Sequence, residues 1–330
     1  MAYLKKEKKV KWKNPSNDKD VYVDWDGEFD PGEYLEDLIE KKLDRRLLNE
    51  IDEREIPRAP NFVEFCYGKN FLNFKPLPRV IQIASSLYGE ICPFCSDKEM
   101  KDNLYDQSID EIFEKLVFTR FGRCPKCKRT KIDFVRNRKW WMPDRLVAVV
   151  GQRAGKNIML SQMSLYHLHR FLTLELDNRR VAPYEYFGTA PAPLRMTFTA
   201  VTLGQAMDTI WGPISGMFEE APWFQEYGKF LTYHGKKRGA ELYAYNTTFV
   251  AYKNKRVDMA CRAPDQRKLR GSTRIGYGID EVCWFDAKAE EKSKGGDKVL
   301  GSVSDIDTSL SNSLKTIRQA AKKRFLAGDF

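Results

Sequence analysis

From residue 146 onward, the apolar residues change repeatedly between strand-like runs and helix-like spacing. Apolar runs at 147–150 and 194–201 predict buried strands, and a β-like stretch covers 241–259. Apolar residues three and four positions apart predict three long helices, at 158–172, 203–219 and 302–325. Strands that alternate with helices form parallel sheets covered by helices, so we expect an α/β fold with a mainly parallel sheet.

The first 145 residues follow a different pattern. Residues 1–35 are charged and rich in turn residues, which predicts a loosely attached arm. Residues 33–55 place their leucines on one side of a predicted helix, and a further short helix is expected around Val80–Ala84. We therefore divide the chain into an N-terminal arm with a helical segment, a middle segment and an α/β core, at 1–70, 71–140 and 141–330.

Composition narrows the function classes. The formal net charge is +10, which favours nucleic acid or another polyanion as partner, although a basic surface alone would give the same value. No run of about 18 apolar residues is present, and the lysine-rich N-terminus lacks the apolar segment of a secretory signal. The sequence thus predicts no membrane contact.

The stretch between the predicted strand at 147–150 and the next helix resembles a phosphate-binding loop. It reads, in order, Gly151, Gln152, Arg153, Ala154, Gly155, Lys156 and Asn157. Backbone N–H groups at a helix N-terminus attract phosphate, and a lysine adds a positive charge. The standard pattern Gly-x-x-x-x-Gly-Lys-[Ser/Thr] has one more residue between the glycines and a hydroxyl residue at position 157. The alternative is a glycine turn followed by a surface lysine.

An acidic pair, Asp280 and Glu281, follows a predicted strand at 274–279. In phosphate-loop ATPases one acidic residue helps to hold Mg²⁺, and its neighbour orients or deprotonates the attacking water. Asp280 takes the first role in this interpretation and Glu281 the second. The strand before them contains two glycines, which weaken a central strand, and a solvated acidic turn is the alternative.

The cysteines predict a metal centre. Of seven cysteines, four form two Cys-Pro-x-Cys pairs, Cys92 with Cys95 and Cys124 with Cys127. Four thiolates close a tetrahedral structural zinc site, and such pairs indicate metal binding in a reducing cytoplasm. The spacer of 28 residues is longer than usual, and a predicted helical insert at 108–116 accounts for the excess. Ordinary buried thiols are expected at the other three positions, Cys66, Cys261 and Cys283.

Two further features have simpler interpretations. His167 and His169 lie two positions apart on the predicted helix 158–172, so they do not share a face and are expected to be ordinary helix residues. The lysine run at 5–13 is expected to be solvated, with contact to DNA as the alternative.

Taken in order, these segments resemble the large terminase subunit of tailed bacteriophages, the motor that packages DNA into proheads. The loop 151–157 resembles that family's short phosphate loop, and 186–211 is similar to its second strand and following helix. The resemblance implies a RecA-like P-loop NTPase in which Arg153 assists catalysis with Lys156 and Glu281. It also implies that Gln82, after Phe74-Lys75-Pro76, contacts adenine.

The resemblance further implies cofactors and partners. ATP and Mg²⁺ would be used to translocate double-stranded DNA. The zinc ribbon at 89–130, which the cysteine pairs predict with structural Zn²⁺, would be an insertion that many family members lack. Partners would be the phage portal, the small terminase subunit, other copies in a homo-oligomeric ring and a separate C-terminal nuclease segment, in the bacterial host cytoplasm and transiently at the prohead portal. The family's coupling strand and nuclease domain are not recognisable, so nuclease activity is not expected from this chain alone. The alternative is a non-hydrolysing zinc-ribbon module that binds DNA or a partner on a degenerate nucleotide-binding fold.

Overall fold

The protein is described by a computed structural model. It describes residues 9–13, 20–24, 56–59, 61–92, 94–95, 118, 123–130, 146–148, 155–177, 179–237, 243–246, 249–264, 269, 273–280, 306–312, 314–315, 317 and 319. Two compact units form, residues 1–56 and residues 57–330. This division differs from the predicted boundaries after residues 70 and 140.

The described part of the first unit is an antiparallel hairpin. Strands β1 (Lys9–Lys13) and β2 (Asp20–Asp24) pair with Val10 opposite Val23. In β1, Val10 and Trp12 alternate with lysines, a pattern that suits a strand and that the prediction of a loosely attached arm did not use. The predicted helix at 33–55 lies outside the described residues.

The described part of the second unit contains both helices and strands. Its helices are α1 (Phe62–Tyr67), α2 (Pro78–Leu87), α3 (Lys156–Leu172), α4 (Pro183–Phe187), α5 (Leu203–Ala206), the π-helical turn π1 (Met207–Trp211), α6 (Gly212–Glu220) and α7 (Pro222–Lys237). Its strands are β3 (Glu175–Leu176), β4 (Arg179–Arg180), β5 (Leu194–Thr199), β6 (Tyr243–Asn246), β7 (Phe249–Tyr252), β8 (Val257–Cys261) and β9 (Thr273–Ile279). Residues 306–312, 314, 315, 317 and 319 are also helical. The predicted helices near 80–84 and at 158–172 are confirmed as α2 and α3.

The described sheet of five strands is mixed, in the order β6-β7-β8-β5-β9. Strand β5 pairs in parallel with β8 and β9, whereas β6-β7 and β7-β8 are antiparallel. The prediction of a mainly parallel sheet is therefore wrong for the described strands. The stretch predicted at 241–259 forms three short strands, and connections this short join neighbours only in the antiparallel sense.

The apolar run at 147–150 is predicted to be a buried strand, but its described residues do not form one. Residues 146–148 have no regular structure and are exposed, with Val147 at 78% of its full accessibility. Residues 149 and 150 lie outside the described part. Valine-rich composition favours a strand but does not provide a pairing partner, so the local pattern alone was insufficient.

Helix α3 packs closely on one face of β5 and β9. A Cβ at position 278 would lie 3.1 Å from both Leu160 Cδ1 and Phe198 Cδ1, and one at position 276 would lie 3.4 Å from the His167 ring. The two glycines that weaken β9 by composition thus allow α3 to approach it. On the other face, the Tyr277 hydroxyl donates to Asp307 Oδ1 over 2.7 Å, which brings the C-terminal helical residues onto the sheet.

A buried aromatic cluster holds α3 against α1 and α7. The His169 ring lies 4.4 Å from the Trp223 ring and 5.2 Å from the Phe65 ring, measured between centroids. Its Nε2 accepts a hydrogen bond of 3.0 Å from the Ala59 backbone N–H. Burial lowers the pKa of His169 well below its usual value, so the ring is neutral and part of the core. Both histidines on α3 are packing residues, as expected.

Candidate functional site

Three strand ends meet at one edge of the sheet. Because β8 and β9 both run parallel to β5, the carboxyl ends of all three strands lie at the same edge. Ligands of open α/β sheets bind outside this edge. Asp280 is the first residue after β9, and its backbone N–H donates to the Thr199 carbonyl over 3.0 Å. The strand therefore delivers one carboxylate to the edge, with only 7% of the residue exposed.

The N-terminus of α3 faces the same carboxylate. Gly155 occupies the position before the helix with a φ of 77°, a left-handed conformation that glycine adopts without steric cost. Lys156 is the first helical residue, and its Nζ lies 2.9 Å from Asp280 Oδ1. The lysine side chain is 38% exposed and the aspartate side chain 8%. The two residues that sequence reasoning assigned to phosphate and Mg²⁺ are thus in direct contact, although 124 positions separate them in the chain.

A third group that sequence reasoning missed reaches the same carboxylate. Thr209, on π1, places Oγ1 at 3.2 Å from Asp280 Oδ2 and at 2.9 Å from the Gln205 carbonyl oxygen. The two carboxylate oxygens are therefore held by different elements, α3 and π1. Single π-helical turns occur frequently at functional sites because they re-aim a side chain within a helix. Position 209 lies in a predicted helix, and the sequence carries no signal for a π turn there.

Several predicted site residues are outside the described part of the chain. These are Gly151, Gln152, Arg153, Ala154 and Glu281. Asn157 lies in the first turn of α3, where its carbonyl accepts from the Ser161 hydroxyl over 2.7 Å. The roles of all six residues stay predictions.

Gln82 lies on α2 and is buried, with 7% of the residue exposed. Its Oε1 accepts a hydrogen bond from the Arg79 guanidinium. The residue before this helix, Leu77, has its Cδ1 4.0 Å from where a Cβ of Gly155 would lie. The start of α2 is thus next to the start of α3, and the adenine contact of Gln82 stays a prediction.

The four cysteines predicted to bind metal lie together. Their sulfur atoms are all within 4.8 Å of one another, and both Cys92–Cys127 and Cys95–Cys124 have Sγ–Sγ distances of 3.8 Å. A tetrahedron of thiolates with metal–sulfur bonds of about 2.3 Å has edges of about 3.8 Å, so the cluster can hold a metal ion and is compatible with zinc. Phe118 packs against the buried pair Cys92 and Cys124.

Burial changes the protonation of the cysteine cluster, and protons compete there with a metal ion. Burial raises the pKa of Cys92 to about 11 and also raises the pKa of Cys95. Burial opposes ionisation of Cys127 as well, but hydrogen bonds from the Arg129 backbone and the neighbouring thiols lower its pKa. Without metal, Cys92 and Cys95 are therefore protonated near neutral pH, and a bound cation would displace these protons.

The second cysteine pair carries a basic surface. Arg123, Lys126, Lys128 and Arg129 are all exposed, so four of the seven residues at 123–129 are cationic. The Arg129 guanidinium lies over the ring of Phe94, at 5.4 Å from the centroid, and this ring is 46% exposed. We call these five residues the basic knuckle.

Comparisons with known proteins identify no relative. No protein-family model, curated protein sequence or solved structure matches this chain. Within the described residues, none of the helices combines the length and the apolar character needed to cross a membrane. The assignment of function therefore rests on the site itself.

Proposed function

We propose that the chain binds and hydrolyses ATP with Mg²⁺ at the sheet edge where α3 begins. The observation that carries this proposal is the 2.9 Å contact between Lys156 Nζ and Asp280 Oδ1, at a helix N-terminus beside the carboxyl ends of parallel strands. A lysine that is one-third exposed can exchange a carboxylate for a phosphate. Phosphate binding at a helix N-terminus uses the backbone N–H groups and the positive end of the helix dipole.

Each residue has a distinct role in this proposal. Lys156 and the loop 151–157 contact the phosphates, and Asp280 holds Mg²⁺, which neutralises charge that develops on the phosphate oxygens. Glu281 orients the attacking water for in-line attack on the γ-phosphate, and Arg153 stabilises the developing negative charge. Gln82 contacts adenine from α2. Removing Glu281 would leave binding intact, whereas removing Lys156 would weaken both binding and turnover.

The biological role that we propose is DNA packaging of the terminase type. Its support is that the loop, the acidic pair and their order along the chain resemble those of the large terminase subunit. The net charge of +10 also favours a DNA partner. In this role double-stranded DNA is moved by a ring of copies that works with the portal, the small terminase subunit and a nuclease segment on another chain. The site of action would be the host cytoplasm and, transiently, the prohead portal.

The cysteine cluster supports zinc as a structural ion. Four thiolates leave no open coordination position, so the ion would hold the two Cys-Pro-x-Cys turns together without taking part in hydrolysis. The basic knuckle would then be a rigid surface for DNA phosphates, since exposed arginine and lysine side chains supply the sequence-independent part of DNA affinity. We expect Lys126→Ala combined with Arg129→Ala to weaken binding of a DNA duplex and to reduce its salt dependence. Unchanged affinity and salt slope would contradict this contact.

A second candidate function is a zinc-ribbon module that binds DNA or a partner without hydrolysing ATP. The observation in its favour is Asn157, which lacks the hydroxyl that a standard phosphate loop presents to Mg²⁺. Thermal unfolding with MgATP and assay of released phosphate separate the two. ATP hydrolysis by the wild type that is lost in both Lys156→Ala and Glu281→Ala supports the first function. Stabilisation by MgATP without phosphate release supports the second. If MgATP neither stabilises the protein nor is hydrolysed, a nucleotide site is excluded.

A further inference from the structure

The loop of this protein lacks a hydroxyl where phosphate-loop enzymes have one. In those enzymes Mg²⁺ is held by the loop serine or threonine together with an aspartate at a strand end. Here the loop position is Asn157, while Asp280 is present at the strand end. An asparagine carbonyl oxygen can ligate a hard cation, but the hydroxyl ligand of the standard pattern is absent from position 157.

Thr209 brings a hydroxyl to that carboxylate from a different element. Its Oγ1 lies 3.2 Å from Asp280 Oδ2, and the side chain is half-buried at the edge where β5, β8 and β9 end. Neighbouring oxygens on one octahedral Mg²⁺ are about 3.0 Å apart, because each lies about 2.1 Å from the ion. The distance between Thr209 Oγ1 and Asp280 Oδ2 is close to that value, so the two oxygens are spaced as ligands of one Mg²⁺ ion would be.

The hydrogen bonds of Thr209 add a second argument. A threonine hydroxyl has one proton, yet Oγ1 faces two acceptors, the Gln205 carbonyl at 2.9 Å and Asp280 Oδ2 at 3.2 Å. When the proton lies toward the nearer acceptor, Gln205, a lone pair of Oγ1 faces the carboxylate oxygen. A cation beside both oxygens would relieve this repulsion.

The π turn explains how a helix presents this side chain. In an α-helix, residues 205 to 211 would continue the turn begun by α5, but Met207–Trp211 is π-helical. The wider turn rotates the following side chains relative to the α-helical register. The turn is held by its buried residues Ile210 and Trp211. The placement of Thr209 is therefore built into the packing of the element.

We propose that Thr209 supplies the hydroxyl of the Mg²⁺ site, in place of the loop residue at 157. This inference rests on the proposed function, because it assumes that Mg²⁺ and a nucleotide bind beside Asp280. It assigns to π1 a ligand that the loop provides in the standard pattern. Lys156 would then leave Asp280 Oδ1 for the phosphates, while Thr209 stays beside Oδ2.

The test compares nucleotide affinity with and without Mg²⁺. Binding of a fluorescent ATP analogue would be titrated on the wild type, Thr209→Val and Thr209→Ser, once without added Mg²⁺ and once with Mg²⁺. Valine has the shape of threonine without the hydroxyl, and serine keeps the hydroxyl. Without added Mg²⁺, we expect Thr209→Val to bind the analogue as tightly as the wild type does. With Mg²⁺, we expect its affinity to be about 10-fold lower than that of the wild type, the size typical for ligand-shell changes. Thr209→Ser should keep most of that gain.

The outcomes separate the two levels of the proposal. If the wild type gains affinity with Mg²⁺ and Thr209→Val gains equally, the role of Thr209 is overturned and the proposed function stands. If the wild type binds no nucleotide under either condition, the proposed function fails and this role fails with it. Equal melting temperatures of the variants without added Mg²⁺ would show that a loss is not a folding defect. An equal loss in Thr209→Val and Thr209→Ser would also overturn the role, because serine retains the oxygen.

Discussion

At the scale of residues, the account depends on one ion pair between elements that are far apart in sequence. Lys156 opens α3 and Asp280 follows β9, and their side chains meet at 2.9 Å. The carboxylate is mostly buried, so removing the lysine leaves a negative charge with less compensation than before. The lysine is 38% exposed, and solvent therefore screens part of the attraction.

A double-mutant cycle measures this pair without nucleotide. We expect Lys156→Ala and Asp280→Asn each to lower the free energy of unfolding, and the double variant to lose less than the sum, with a coupling of about 1 kcal/mol. Urea unfolding of the four proteins provides the values. Lys315→Ala serves as a control, because this exposed lysine lies among the helical residues on the opposite face of the sheet. Its effect should add to that of Asp280→Asn, and a coupling near zero for Lys156 would contradict the contact.

At the scale of elements, the position of Lys156 depends on how closely α3 packs on β9. Gly278 faces Leu160 of α3 and Phe198 of β5, and Gly276 faces His167. His167 Nε2 donates to the Ile275 carbonyl over 2.8 Å, since a carbonyl oxygen only accepts. Burial lowers the pKa of His167 to about 4, so this contact is made by the neutral ring.

The two glycines provide a graded test of this packing. A methyl group at position 278 would lie 3.1 Å from two buried side-chain carbons, whereas one at position 276 would lie at 3.4 Å. We expect Gly278→Ala to reduce the free energy of unfolding by about 1 kcal/mol through overpacking. Gly276→Ala should change it by less than about 0.5 kcal/mol, because the lower chain entropy of alanine offsets a slight crowding. Denaturant unfolding measures both, and equal losses would contradict the packing.

Local elements were predicted better than their arrangement. The apolar spacing of α3 and the strand β5 are visible in the sequence because each is a pattern within one segment. The separation of 241–259 into three strands was missed, because turns such as that at Arg256, with a φ of 51°, carry no glycine to mark them. Likewise Thr209 acquires its place from a π turn, which depends on packing by residues from other segments.

At the scale of the whole molecule, two candidate sites of different character share one chain. The sheet edge holds oxygen and nitrogen groups, while the cysteine cluster holds sulfur. Sequence reasoning predicted the cluster because the spacing of Cys-Pro-x-Cys pairs determines which thiols can converge. It also predicted the two residues that meet at the sheet edge, but only through the analogy of a phosphate loop with imperfect spacing. The roles of the remaining residues of the loop 151–157 stay predictions.

Metal content tests the cysteine cluster. We expect the purified protein to contain about one zinc ion per chain and its melting temperature to fall on chelation, since metal binding free energy is also folding free energy. Because protons compete for thiols such as Cys92, whose pKa is raised to about 11, zinc affinity should increase as the pH rises. Elemental analysis of Cys92→Ser should show no bound zinc.

The matched control for that variant is Cys66→Ser. Cys66 is a buried free thiol outside the cluster, so this change should leave the zinc content unaltered. A wild-type protein that folds without metal, or a Cys92→Ser variant that still binds one zinc ion per chain, would refute the assignment.

The most direct test of the central claim is calorimetric titration of the 330-residue chain with MgATP. The account predicts saturable binding by the wild type, a loss of affinity of at least about 10-fold in Lys156→Ala, and unchanged affinity in Lys315→Ala, since loss of one charge-assisted contact costs about 1.5–3 kcal/mol. Absence of MgATP binding by the folded wild type, or equal affinity of Lys156→Ala and the wild type, would contradict a nucleotide-phosphate site at Lys156 and Asp280.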